Sequence, residues 1–337
     1  MPSLLIQVFR GNWRKESSTA PSLLTKSCHD IDFLLWILCS SPPGSDQPAH
    51  IPSSVASFGS LKQFKQSRKP KSAGTATNCL RCPIETSCTY SAKRIYYDNQ
   101  LAKGNTNWPV NIVNPEIEAC YNHRGKDAAR DMLIKTLEAD YDSNTSPEEI
   151  NKRPWFGRCV WECENDVCDD QFVLVSWEDE SLAADNSSPT RMAKTASFHM
   201  IAQTEKQCER RGRIYGEKGE ISYDGTIITV YDFSTGQFQQ HRPHRPSGGH
   251  GGGDHELATQ FLGAVQAVRS KEMSIENAQA KFLGCTLEEV IRSHALVFAA
   301  EEARLQRKVV DWKQWWESVT SQAALTCNVH LSNNQSS

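Results

Sequence analysis

Several things are missing from this sequence, and each absence excludes something. No apolar run approaches the roughly 20 residues a membrane-crossing helix needs; the longest candidate, Ile31 to Cys39, is about half that length. No G-x-G-x-x-G stands between a strand and a helix, and the glycine clusters around Gly216 and Gly251 lack that spacing, so no dinucleotide site of the Rossmann kind is expected. There is no excess of one charge. Lys and Arg number 37 against 40 Asp and Glu, a net charge of -3, which gives no general pull toward nucleic acid or anionic lipid. The opening "MPSLLIQVFRGNWRK" has no cationic region ahead of its short apolar run and does not read as a signal peptide. A cytoplasmic chain is therefore expected. Its 12 cysteines are then reduced thiols or metal ligands rather than a disulfide framework.

What is present suits a folded chain with a real core. Hydrophobic residues make up 38% of the 337 and charged residues 23%, enough for one large domain or two small ones. Residues 1–16 read as extended. Pro21 and Ser22 then open a helix, with Ser22 as N-cap, and Leu24, Cys28, Ile31, Leu35 and Leu38 trace a stripe at helical spacing. "SSPPGSDQP" ends it. "SSVASFGSL" alternates as a strand does. The basic run at 62–78 reads as a flexible loop, and the cysteine-rich stretch from Cys79 to about Tyr97 as loop-like. A helix is expected over Lys126–Leu137. Strands are expected in "FGRCVWEC", "DQFVLVSWE", "RMAKTASFHMIA", "RRGRIYGEKGEISYDG" and "TIITVYDF", paired as antiparallel hairpins. A glycine-rich loop, 241–256, feeds another helix. A last helix opens with the capping box Thr286…Glu289 and is expected to run toward "WKQWWESV". The tail from 321 to 337 is polar and reads as disordered.

Three clusters carry candidate chemistry. In "LLTKSCHDIDFLLWIL" an apolar helix bears an ionisable group in each early turn. Positions i and i+4 share a face, so Thr25 projects with His29 and Lys26 with Asp30. His29 is the group whose charge changes near neutral pH; the alternative is that it only hydrogen-bonds a carbonyl while Asp32 caps a loop. In "SGGHGGGDHE", His250, Asp254 and His255 could meet a polar substrate or a metal, or the loop could simply be of biased composition. In "NCLRCPIETSC", Cys79 and Cys82 form the half-site spacing used for zinc and Cys88 lies close. Cys120, Cys159, Cys163 or Cys168 could complete the set, and Cys163 is taken as the fourth. The alternative is packed free thiols, since the sequence has no second C-x-x-C.

Taken in order, "RGNWR", "LLTKSCHDID..LW", "ASFGSL", "CLRCPIETSCTYSAK", "FGRCVWECENDV.D.Q", "RIYGEKGEI" and "GHGGGD" resemble the C-terminal domain of the Gfo/Idh/MocA oxidoreductases over most of residues 5–320. The resemblance implies an α+β fold, an open and mainly antiparallel sheet with helices on one face, with a Cys-rich insertion at 62–125. It implies a sugar- or polyol-like substrate and a homo-oligomer formed through the sheet, with no nucleic-acid or membrane partner. His29 matches the family's catalytic histidine, while Thr25 stands where the family has an acid. Arg14, Thr25, Lys26, Asp30, Asp166, His250 and Asp254 are the expected substrate-binding residues. NAD or NADP is the family cofactor, held by a Rossmann domain. Neither that domain's fingerprint nor the family's Glu-Lys-Pro lysine is found in this sequence. The expectation is thus the substrate-binding half of an NAD(P)-dependent oxidoreductase acting on a secondary hydroxyl, inactive alone. The alternative is a non-catalytic sugar-binding or dimerisation module.

Overall fold

The computed structural model describes residues 10–11, 14–17, 19–40, 47–181, 190–204, 210–244 and 253–321. In chain order the regular elements are α1 (Ser22–Cys39), β1 (Ser54–Ser60), α2 (Ile117–Leu137), α3 (Pro147–Lys152), β2 (Asp170–Trp177), β3 (Glu180–Ser181), β4 (Thr190–Arg191) and β5 (Lys194–Ile201). They continue with β6 (Gly212–Tyr215), β7 (Gly219–Tyr223), β8 (Ile228–Asp232), β9 (Gln237–His241), α4 (Gly253–Arg269), α5 (Ile275–Ala278), α6 (Leu287–Gln306) and β10 (Val310–Asp311). The fold is α+β, and the chain divides into two compact units, Met1–Glu205 with Arg292–Ser337, and Lys206–Ile291. Each unit holds its own four-stranded antiparallel sheet.

In the first unit the sheet order is β10-β1-β2-β5. Strand alternation sets its two faces. Val173, Val175 and Trp177 of β2 are buried with Val55 of β1, against Leu23, Ile31 and Leu35 of α1 and Leu296, Val297 and Ala300 of α6. Each such aliphatic side chain contributes roughly 1.5–3 kcal/mol on leaving water. The other face exposes Phe58, Phe172, Leu174 and Ile201. Helix α1 buries Leu23, Ser27, Ile31, Leu35 and Cys39, a stripe at a constant spacing of four. Ser22 is not its N-cap. Pro21, with φ −55°, takes that position, and the Ser22 hydroxyl, one residue inside the helix and buried, donates to the carbonyl of Cys168 at 2.8 Å.

The capping box of α6 forms as expected: Glu289 N–H donates to Thr286 Oγ1 at 3.2 Å and Thr286 N–H to Glu289 Oε2 at 2.7 Å. The helix does not run on to the tryptophans. It stops at Gln306, Arg307 adopts φ 52°, and Val310–Asp311 add to the edge of the sheet beside Val55 and Ser54. The chain is helical again over 312–321, with buried Trp312 stacked on Trp315 and Trp316 at 5.7 and 5.6 Å.

Residues 62–78 are ordered rather than a flexible loop. The buried carboxylate of Asp169 accepts from the backbone N–H groups of Lys62, Gln63 and Phe64 at 2.7, 2.6 and 3.3 Å. Lys69 reaches Glu162 at 2.7 Å. The cysteine-rich stretch is a run of single helical turns, Cys79–Arg81, Glu85–Ser87 and Lys93–Asp98, around a second apolar core with Tyr90 edge-on to both Phe64 and Trp161. The expected strand "FGRCVWEC" is instead a one-pair bridge, Asn78 to Arg158, followed by a turn over Val160–Glu162. Its side chains are buried on all sides, so it has no second strand face to alternate. The helix expected over Lys126–Leu137 is the second half of α2, which begins at Ile117 and kinks at Gly125, where φ is 86°.

In the second unit the hairpins β6–β7, β7–β8 and β8–β9 turn at Gly216–Gly219, Gly225 and Gly236. Asp224 and Asp232 accept backbone N–H groups at the last two turns. Helices α4 and α5 pack through Ala264, Ala267 and Ala278, with Phe282 against Gly263.

His50 joins the end of α1 to β2. Its N–H donates to Cys39, its carbonyl accepts from the Trp177 indole at 3.1 Å, and its Nε2 lies 2.9 Å from the carbonyl of Glu178. Nδ1 is buried without a partner among the described residues, so the neutral ring with its proton on Nε2 fits the site.

Two outcomes are expected. Asp169→Ala strands three N–H donors, two of them partly buried and one buried, and should lower unfolding stability by about 2–4 kcal/mol in urea titrations, with β1 and β2 surrounding the lesion. Burial lowers the His50 pKa below its ordinary 6.5, so the unfolded chain takes up the proton first. The stability from His50 is complete above pH 6.5 and is lost as pH falls through the depressed folded value. Comparing urea midpoints at about pH 7.5 and about pH 5 should show a smaller acid loss in His50→Gln than in the parent chain.

Candidate functional site

The N-terminal half of α1 is one candidate site. Pro21 sets its first turn, and the Ser22–Cys168 bond fixes that turn beside the 164–168 segment. Residues 14–16 run along the same segment. Asp166 N–H donates to the Arg14 carbonyl at 3.1 Å, Glu16 N–H donates to Asp166 Oδ1 at 2.7 Å, and Lys15 pairs with Glu164 at 2.9 Å. Arg14 and Asp166 are therefore neighbours, with Asp166 exposed. Arg14, however, is buried, and its guanidinium donates to the carbonyls of Gly11 and Ile150, both at 3.2 Å. It ties the N-terminal segment to α3 rather than meeting a substrate from solvent.

On α1 itself Thr25 turns its hydroxyl back to the Pro21 carbonyl at 3.3 Å. Lys26 and Asp30 are half-buried on one flank. His29 is exposed, seven residues or about 10 Å along the helix from Ser22, with Nε2 3.4 Å from Asp30 Oδ2. An exposed imidazole beside a carboxylate on a rigid helix can accept or give a proton at a hydroxyl brought to it. Phe33 and Trp36 continue the exposed side, with rings 6.2 Å apart. His250 and Trp13 lie outside the described residues. Asp254 is exposed in the first turn of α4, in the second unit.

The cysteine-rich core holds the other candidate. A cavity of about 10 Å³ is walled by Cys79, Cys82, Cys88 and Cys159, with Arg10 and Trp161. Cys79 and Cys159 are brought together by the Asn78–Arg158 bridge, in which Cys79 N–H donates to Gly157 at 2.8 Å and Cys159 N–H to Thr77 at 2.7 Å. Gly157 is required there, because a Cβ would stand 1.6 Å from the Leu137 carbonyl oxygen. Asn78 holds the other side, donating to the Leu137 carbonyl at 2.9 Å and accepting from Leu80 N–H. Cys163 is not on the cavity wall. It is buried, its thiol donates to the Cys159 carbonyl at 3.2 Å, and burial pushes it up to about 12. Among the described residues no three His, Cys, Asp or Glu side chains are arranged to hold a metal ion as they stand.

Arg10 is the residue sequence reasoning passed over. It is 1% exposed, donates to the Tyr90 carbonyl at 2.6 Å and approaches Cys79 Sγ at 3.7 Å, while its Nε and Nη1 have no partner among the described residues. Nothing in "FRGNWRK" distinguishes Arg10 from Arg14; only the fold separates the one beside the thiols from the one beside α3.

No family model, curated protein or solved structure matches this chain.

Proposed function

We propose that the chain is the substrate-binding half of an NAD(P)-dependent oxidoreductase of the Gfo/Idh/MocA kind, acting on a secondary hydroxyl of a sugar or polyol and inactive without its cofactor domain. The observation that carries this is the placement of His29. It is exposed beside Asp30 on a helix whose opposite face is buried against an antiparallel sheet. In this reading His29 orients or deprotonates the hydroxyl, Asp30 holds the imidazole, and Lys26 and Asp166 bind neighbouring hydroxyls. Thr25 keeps its backbone partner, and Arg14 serves only to place the 14–16 segment. The nicotinamide would supply hydride chemistry from a separate cofactor domain. No described helix is long and apolar enough to cross a membrane.

The alternative, a dimerisation module, is favoured by a different observation. The sheet face away from α1 and α6 carries Phe58 at 70% exposure together with Phe172 and Leu174. Both readings allow a homo-oligomer built on this face.

Calorimetric or NMR titration of the chain with a panel of polyols and aldoses should detect weak binding. His29→Ala should weaken it about tenfold, the equivalent of one hydrogen bond to an ionisable group. Binding that is indifferent to His29→Ala would remove the catalytic reading, and tight NAD binding by the isolated chain would overturn the account of a missing cofactor half. Light scattering should give a dimer for the parent chain and a monomer for Phe58→Asp.

A further inference from the structure

The cysteine cavity has a charge problem that the apo thiols do not solve. Arg10 brings a permanent cation into a buried place, and two of its three nitrogens find no acceptor among the described residues. The one carboxylate on the cavity wall, Glu85, accepts instead from the Ser91 hydroxyl. A buried cation without a counter-charge is costly, so the cavity is built for negative charge. The groups on hand that can supply it are sulfurs.

One of those sulfurs already accepts from the guanidinium. Arg10 Nη2 points at Cys79 Sγ at 3.7 Å. An N–H aimed at sulfur stabilises the thiolate over the thiol. Four thiols from two separate chain segments, 79–88 and Cys159, converge on one small void, and these cysteines are not joined as disulfides.

We propose that this cavity is a structural zinc site with Cys79, Cys82, Cys88 and Cys159 as its ligands and Arg10 as the cation that balances the thiolates. Zn²⁺ displaces four thiol protons to solvent, forms four Zn–S bonds and leaves a complex of charge −2 beside the Arg10 guanidinium; nothing is oxidised or reduced. Because no three of these side chains are arranged to hold an ion as placed, binding includes rotation about their Cα–Cβ bonds to bring the sulfurs to about 2.3 Å from the ion. In the thiol form Cys79 can donate to the Arg158 carbonyl at 3.9 Å, a weak bond that the rotation releases. Cys82 and Cys88 are only half-buried and give the ion its way in. This site is independent of the chemistry assigned to α1.

The test uses the full chain, purified without a tag and stripped of metal under reducing conditions, then titrated with Co²⁺ and Zn²⁺. One equivalent of cobalt should bind with the intense visible bands of tetrahedral tetrathiolate coordination, and zinc should bleach them. Cys159→Ser should weaken metal binding at least tenfold and lower the band intensity, whereas Cys163→Ser should leave both unchanged. Should the Cys159 variant fail to fold, mass-spectrometric mapping of alkylation in the parent chain gives the same answer: zinc should protect Cys79, Cys82, Cys88 and Cys159 together and leave Cys28 reactive. Absence of a cobalt spectrum, protection that does not depend on zinc, or dependence on Cys163 instead of Cys159 would each overturn the assignment.

Discussion

The carboxylate of Asp169 is the constraint on which the first unit depends. Taking a carboxylate out of water costs several kcal/mol unless other donors replace the solvent. Here three consecutive backbone N–H groups, from Lys62 to Phe64, do so. The same residue donates its own N–H to the Ser60 carbonyl and accepts from Ala202 N–H, so it also closes the ends of β1, β2 and β5. The chain leaving β1 is thereby bent sharply, and Phe64 is driven into the cysteine-rich core. Asp169 thus ties the end of the sheet that lies over one apolar core to Phe64 in the other.

Two residues into β2 a second polar feature fixes α6. Gln171 is fully buried and donates to Ser57 at 3.2 Å and to Glu301 at 2.7 Å. Arg304 then joins Glu301 at 2.6 Å to Glu16 at 2.9 Å. Apolar contact is non-directional, and the alanines of α6 would accept several registers against the sheet. These bonds select one, and through Glu16 they carry the selection to the segment that positions Asp166. Desolvation outweighs Arg304 at Glu16 and raises its pKa, as expected for two carboxylates sharing one guanidinium.

Much of this was legible in the residues, and the failures have physical causes. The α1 stripe, the strands at 54–60, 170–177 and 194–201, the hairpins of the second unit and the Thr286–Glu289 box follow from periodicity and capping chemistry, which are local. The ordering of 62–78 was not legible, because it comes from an acid more than a hundred residues away. The strand expected at "FGRCVWEC" failed because β-branched and aromatic content also describes a buried turn. Ser22 lost its cap role to the proline before it. For the site, the His29–Asp30 pairing on α1 could be read from sequence, whereas the burial of Arg14 depends on distant carbonyl partners at Gly11 and Ile150, and the place of Cys159 rather than Cys163 on the cavity wall on the Asn78–Arg158 bridge.

That bridge has a wider consequence. From Cys79 to Lys103 the chain is a run of short helical turns rather than one continuous ladder, and side chains tie those turns to each other and to their surroundings. Asn78 serves groups at 80, 137 and 139, Arg158 serves carbonyls at 141 and 162, and Arg94 serves Thr86. Order of this type is not spread along a helix or strand that can fray from its ends. It lies in short separate turns joined by a few amides and guanidinium groups, each gathering distant parts of the chain like a knot. Such a region resists local opening up to a threshold and then gives way as a whole, so amide exchange across it would follow a single shared opening event rather than a gradient.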